Sequence, residues 1–147
     1  MTFKKLLADQ RVALEPPSKQ ELDELREVVA TNLADADVPG LSPQGRYEFA
    51  YNAARLAATM AVRATGHRVT ARNGFHYYTF QALEAVHPAA FGKHATYFDA
   101  ARSKRNDFSY DGPTNLADTE ATELVAEAKR FLTAVEAWIA AHAPLLK

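Results

Sequence analysis

The sequence contains no cysteine. A disulfide framework, a thiolate zinc site and a cysteine nucleophile are therefore excluded. A reducing, cytoplasmic setting is the expectation. Long apolar runs are missing as well: no stretch approaches the ~18 uninterrupted apolar residues that a membrane span needs. The first residues, MTFKKLLADQRVAL, carry two lysines but no apolar core or small-residue cleavage site after them. They read as a helix rather than a signal peptide. Charge of one sign is also scarce. With a formal net charge of -1, the chain as a whole does not attract polyanions, and any nucleic-acid binding must come from a local cluster of base. There is no Gly-rich phosphate loop, no strand-length run of alternating β-branched residues and no internal repeat. Glu120, Glu123 and Glu127 fall at helical spacing, but no Glu-x-x-His pattern accompanies them, so neither a metal nor another cofactor is expected.

What is present describes one helical domain spanning residues 1–147. A chain of 147 residues with a hydrophobic fraction of 48% and a charged fraction of 24% can bury a core without staples. Seven prolines and six glycines fall mostly between periodic segments. A first helix is expected from about Thr2 to Leu14, with Leu6, Leu7 and Val12 inward, stopped by Pro16 and Pro17. A second opens at Ser18, where Ser18 and Glu21 have the spacing of a reciprocal capping box. Leu22, Leu25, Val29 and Leu33 follow at intervals of three and four. Ser42 and Pro43 open a third, rich in alanine and ended by Gly66. Its small side chains place it at the bundle centre. A short fourth helix spans about Phe75 to Val86, and a fifth runs from about Lys93 to Ser109. The last carries the stripe Leu124, Ala128, Phe131, Val135, Trp138 and His142, which places Trp138 and His142 in a packed surface. The fold class is all-α: an antiparallel up-and-down bundle of about five helices, with no sheet.

Chemistry concentrates in ARSKRNDFSYDGP, residues 101–113. On a helical wheel Tyr97, Ala101 and Phe108 fall within about 40° of one another and mark a core stripe. Arg102, Asn106 and Tyr110, spaced by four, stack in a row roughly opposite, flanked by Arg105. Guanidinium forks match phosphate oxygens, and an amide reads a base edge or sugar hydroxyl. The same spacing also describes a solvated helix end whose cations sit near the negative pole of the helix dipole. Off the core stripe, Arg105 should be removable without opening a cavity.

Arg105, Asn106 and Tyr110 resemble the signature of the HEPN domain family: an arginine, a polar residue, then a histidine near a helix end. The all-helical pattern resembles the family's architecture over most of the chain. The resemblance implies metal-independent RNA cleavage at a homodimer interface. Arg105 would bind the phosphate and Asn106 would position it. It also implies a nucleotidyltransferase partner, a toxin–antitoxin setting, and RNA or nucleotide as ligand. Tyr110 departs from the pattern. A phenol of pKa about 10 is protonated at neutral pH and is a poor general base, where histidine titrates in range. RNase activity of the usual kind is therefore not expected. One form of what the resemblance implies is that the motif tyrosine, Tyr110, is a nucleotidylation target or a hydrogen-bonding group in a nucleotide pocket.

Of the other histidines, His67, His76, His87, His94 and His142, the one that follows the densest local run of base is His76. Arg63, His67, Arg68 and Arg72 precede it, and Tyr77 and Tyr78 follow. Arg68, Arg72 and His76 would form an electropositive wall with tyrosines for stacking. No spacing fixes this run against Arg105, however, which favours an exposed helix-to-helix loop with ordinary solvated charge. Two further readings stay open. The chain could be a non-catalytic interaction or dimerisation domain with Arg105 paired to an acid such as Asp111, or a bundle that binds a small ligand.

Overall fold

The computed structural model describes residues 1–110 and 116–147, the last two of the first stretch by their backbone alone. Six α-helices carry the described fold: α1 (Phe3–Ala8), α2 (Lys19–Ala36), α3 (Pro43–Ala64), α4 (Phe75–Val86), α5 (Pro88–Tyr110) and α6 (Asp118–His142). No helix among the described residues is long and apolar enough to cross a membrane. The all-α bundle read from periodicity is what forms.

The sequence reading of the first helix needs correction. It ends at Ala8, and Gln10 takes a left-handed φ of 57°. The chain then extends as β1 (Val12–Leu14), which pairs antiparallel with β2 (His67–Val69). Val12 is buried, but against Leu6, Val62 and Ala82 rather than as part of a helical face. Its partner strand lies beyond α2 and α3, and local periodicity carries no sign of so distant a pairing.

At α2 the Ser18 hydroxyl accepts the Glu21 amide at 3.1 Å. The reciprocal half of the box does not form, because the Glu21 carboxylate turns to Arg63 instead. Arg63 is buried, with 1% of its surface exposed. Its guanidinium donates to both Glu21 oxygens, at 2.7 and 3.0 Å, and to the carbonyls of Glu15, His67 and Pro16 at 3.0, 3.0 and 3.2 Å. One side chain thus ties the end of α3 to the start of α2, to the connection between β1 and α2, and to β2. α3 opens as expected, with the Ser42 hydroxyl accepting the Gly45 amide at 3.1 Å. It closes at Gly66, whose φ of 82° suits glycine.

α3 is the central helix, packed on α2, α4, α5 and α6. Ala50, Ala54, Ala57, Ala58 and Ala61 are fully buried, and their small side chains let these neighbours approach. Arg26 meets Glu136 and Lys129 meets Asp37, so α2 and α6 run antiparallel. Phe80, Phe91, Phe98 and Phe131 fill the space beside the alanines. Trp138 packs on the core edge, while His142 is exposed and stacks on Trp138 at 4.6 Å. The inward stripe of α6 therefore ends at Ile139 rather than His142. After α3, the segment through β2 returns the chain so that α4 begins beside the middle of α3.

Candidate phosphate-binding cluster between α3, α4 and α5

α5 begins five residues earlier than periodicity suggested. Pro88 occupies its first turn, and the His87 ring nitrogen Nδ1 accepts the Ala90 amide at 3.0 Å. Histidine thus does the work of a capping residue. The longer helix adds Phe91 to its inner face. Phe91, Ala95 and Phe98 are buried, and Arg102 and Arg105 continue the same series at intervals of four and three. Of the expected stripe, Ala101 is buried in the core, while Tyr97 and Phe108 are partly buried and mark a flank of the inner face. The arginines therefore do not lie opposite the core; they extend the apolar stripe to the end of the bundle.

There α3 offers Glu48, Tyr51 and Arg55, spaced by three and four on one face. Arg105 donates from Nε to both Glu48 oxygens at 3.1 and 3.0 Å, and from Nη2 to Oε1 at 2.9 Å. Its guanidinium carbon also lies 5.5 Å above the Tyr51 ring, within the range of a cation–π contact. Arg102 donates to Asp99 at 2.8 Å and covers the Tyr77 ring at 5.7 Å. α4 contributes His76, whose Nδ1 is 3.0 Å from the Tyr51 hydroxyl oxygen. Tyr51 is fully buried.

The electrostatics follow from this convergence. Burial pushes the His76 imidazole down to about 4, and Arg55, Arg105 and Arg102 push it the same way against Glu48. Burial raises the Tyr51 phenol to about 12, opposed by the same three arginines. Burial also holds the Arg55 guanidinium below its ordinary value, with Arg105 adding to the effect. The Arg55 Nε atom is buried and has no hydrogen-bond partner among the described residues. At neutral pH the described residues of the cluster thus include three guanidiniums, a neutral imidazole, a protonated phenol and the carboxylates of Glu48 and Asp99.

The residues singled out in the sequence divide. His76, Arg102 and Arg105 come together, through Tyr51. Asn106 is half-buried on the next position of α5. The backbone of Tyr110 closes α5; its side chain, and Asp111 entirely, lie outside the described residues. Arg68 is held by Glu15 and Glu21 beside β2. Arg63 stands fifteen residues beyond Glu48 on α3, about 22 Å along the helix. Arg72 is exposed on the turn before α4. Among the described residues no group of acidic and histidine side chains is placed to hold a metal ion. Sequence reasoning missed Glu48, Tyr51 and Arg55. The available signal was three polar or aromatic side chains at helical spacing on an otherwise alanine-rich central helix.

A family model, SAV_6107-like HEPN, matches residues 40–136. The match begins just before α3 and ends within α6, so it covers every residue of the cluster. No curated protein and no solved structure matches the chain.

Proposed function

The chain belongs to the SAV_6107-like HEPN family, and on that footing we propose that it binds RNA or a nucleotide through phosphate contacts at the α3–α4–α5 cluster. The observation that carries this reading is the gathering of Arg55, Arg102 and Arg105 around one half-buried imidazole. Like charges drawn together from two helices repel one another, and that cost is recovered when an anion binds between them. Arg102 lies over Tyr77, which gives a base an aromatic face beside the phosphate. Tyr110, following Arg105 and Asn106, supplies a hydroxyl donor rather than a general base, so the reading is recognition, with RNA cleavage of the usual kind not expected. A homodimer formed partly by α5, a nucleotidyltransferase partner and a toxin–antitoxin role belong to the same proposal. They rest on the family's habits, as does nucleotidylation of Tyr110.

The bidentate Arg105–Glu48 pair favours a second reading, in which Arg105 is structural and the chain is an interaction domain. Binding and melting of two variants separate the two readings. Arg105 and Glu48 are 27% and 40% exposed, so their pair contributes about 1 kcal/mol after solvent screening. Arg105→Ala should melt a few degrees lower and bind single-stranded RNA or nucleotide about tenfold or more weakly. Glu48→Ala should melt similarly lower yet bind at least as tightly, because the competing carboxylate is gone. If both variants melt lower and bind as the parent does, the interaction-domain reading takes over.

A further inference from the structure

The cluster's charges can be matched one against another. Arg105 faces Glu48, and Arg102 faces Asp99. Arg55 remains, with a buried Nε that donates to nothing among the described residues. Beside it is an imidazole with room for one more proton. His76 is faced from α3 by Glu48, Tyr51 and Arg55, and from α5 by Arg102 and Arg105, with Asp99 behind Arg102. About a quarter of the Arg102 and Arg105 side chains remains exposed, at 24% and 27%, so the cluster opens to solvent on the α5 side.

We propose that Arg55, His76 and Arg102 form a subsite for a phosphate monoester dianion, and that His76 takes up one proton from solvent as the dianion binds. This rests on reading the cluster as a phosphate site and names the phosphate it takes. A diester carries one negative charge, which Arg55 alone would balance, leaving the imidazole neutral. A monoester carries about two near neutrality. It matches Arg55 together with a protonated His76 and so offsets the repulsion that keeps the imidazole neutral in the empty cluster. In the cationic ring both nitrogens donate. Nδ1–H then points to the Tyr51 oxygen, whose phenol stays protonated, and Nε2–H is left for the ligand. The Tyr77 ring under Arg102 is the surface on which an attached base would stack. The predicted ligand is therefore a nucleoside monophosphate or the phosphorylated end of an RNA rather than an internal linkage.

The test follows His76 by NMR in the full chain with isotope-labelled histidine, assigned through His76→Gln. The ligands are adenosine monophosphate, inorganic phosphate and the diester adenylyl-adenosine. With adenosine monophosphate the His76 midpoint should rise from about 4 to about 7 or above. Calorimetry near pH 7, where the monoester is already mostly dianionic, in buffers of different ionisation heat should then read a net uptake of about half a proton or more per ligand. The diester should leave the midpoint where it was. Inorganic phosphate moving it as far, at equal affinity, would identify free phosphate as the source; a tenfold weaker effect would identify the nucleotide. Arg55→Gln should raise the midpoint of the unliganded protein and weaken the monophosphate about tenfold. A diester that moves His76 as much as the monoester overturns the proposal. So does monophosphate binding with His76 unmoved, or no monophosphate binding while single-stranded RNA still binds and loses affinity in Arg105→Ala. In these cases the broader phosphate reading stands. It falls too only if neither ligand class depends on Arg105.

Discussion

Replacing Arg63 with methionine keeps most of the side-chain volume and removes the charge and all five donors. The guanidinium is buried and makes five hydrogen bonds, two to the Glu21 carboxylate and three to main-chain carbonyls of the β1–α2 connection and β2. Glu21 is not wholly abandoned, because Arg68 still reaches one of its oxygens at 3.0 Å. Among the described residues the carbonyls have no such substitute. Removing one partner of a buried pair costs about 3–5 kcal/mol. Retained contact with Arg68 argues for the lower end of that range. Domains of this size shift by about 3 °C per kcal/mol, so Arg63→Met should melt roughly 10 °C lower. Urea unfolding should show a lower midpoint with an unchanged slope, since the surface exposed on unfolding is the same. Arg63→Lys, with the charge kept and the fork lost, should fall between the two. If Arg63→Met melts within 2 °C of the parent, the buried fork is not what holds β1, β2 and α2 together. The reasoning from desolvation and unmade hydrogen bonds would then be wrong for this site.

Acid should destabilise the protein in two stages. Burial holds His76, His67 and His94 below the ordinary histidine range, so between pH 6.5 and about 4 the unfolded chain binds protons that the folded chain refuses, and stability falls with pH. Hydrogen bonding to Arg63 holds Glu21 low, so its contribution is lost further down, as pH drops below the ordinary carboxylate value. Urea midpoints at pH 7.5, 5.5 and 4.5 read both stages; a flat profile above pH 4.5 contradicts the burial of the imidazoles. Sedimentation at high micromolar concentration should give a homodimer, and a monomer there would count against α5 as a dimer surface.

Helix boundaries set by local chemistry were legible. Ser18, Ser42 with Pro43, and Gly66 each act through neighbours within four residues, and α4 occupies the span that Pro88 and the turn at Gly74 leave for it. What failed was non-local. β1 looked helical because its partner lies on the far side of two helices. Periodicity starts α5 only at about Lys93 because His87, which caps it, is not a residue type usually read as a cap. A start at Lys93 leaves Phe91 off the wheel, so Tyr97, Ala101 and Phe108 stand for the inner face and Arg102 falls on its far side. The motif Arg105–Asn106–Tyr110 was visible, but its surroundings were not. Glu48, Tyr51 and Arg55 join it only through packing of α3 on α5, and His76 only because α4 starts beside Tyr51.

The pairing of β1 with β2 also bears on the order of folding. Taken alone, the contact between Val12 and Val69 closes a long loop before gaining three residues of ladder, an unfavourable exchange for a free chain. But α2 and α3 are joined by a short connection and pack along their lengths, so once they dock, their open ends already bring Glu15 and Gly66 into hydrogen-bonding distance at 2.9 Å. The ribbon then closes almost no loop at all. It behaves as a clasp on a helical hairpin already shut, and its register comes from the helices rather than from any turn. Folding should therefore proceed from the α2–α3 hairpin outward, with the first fourteen residues the last to settle and the first to open.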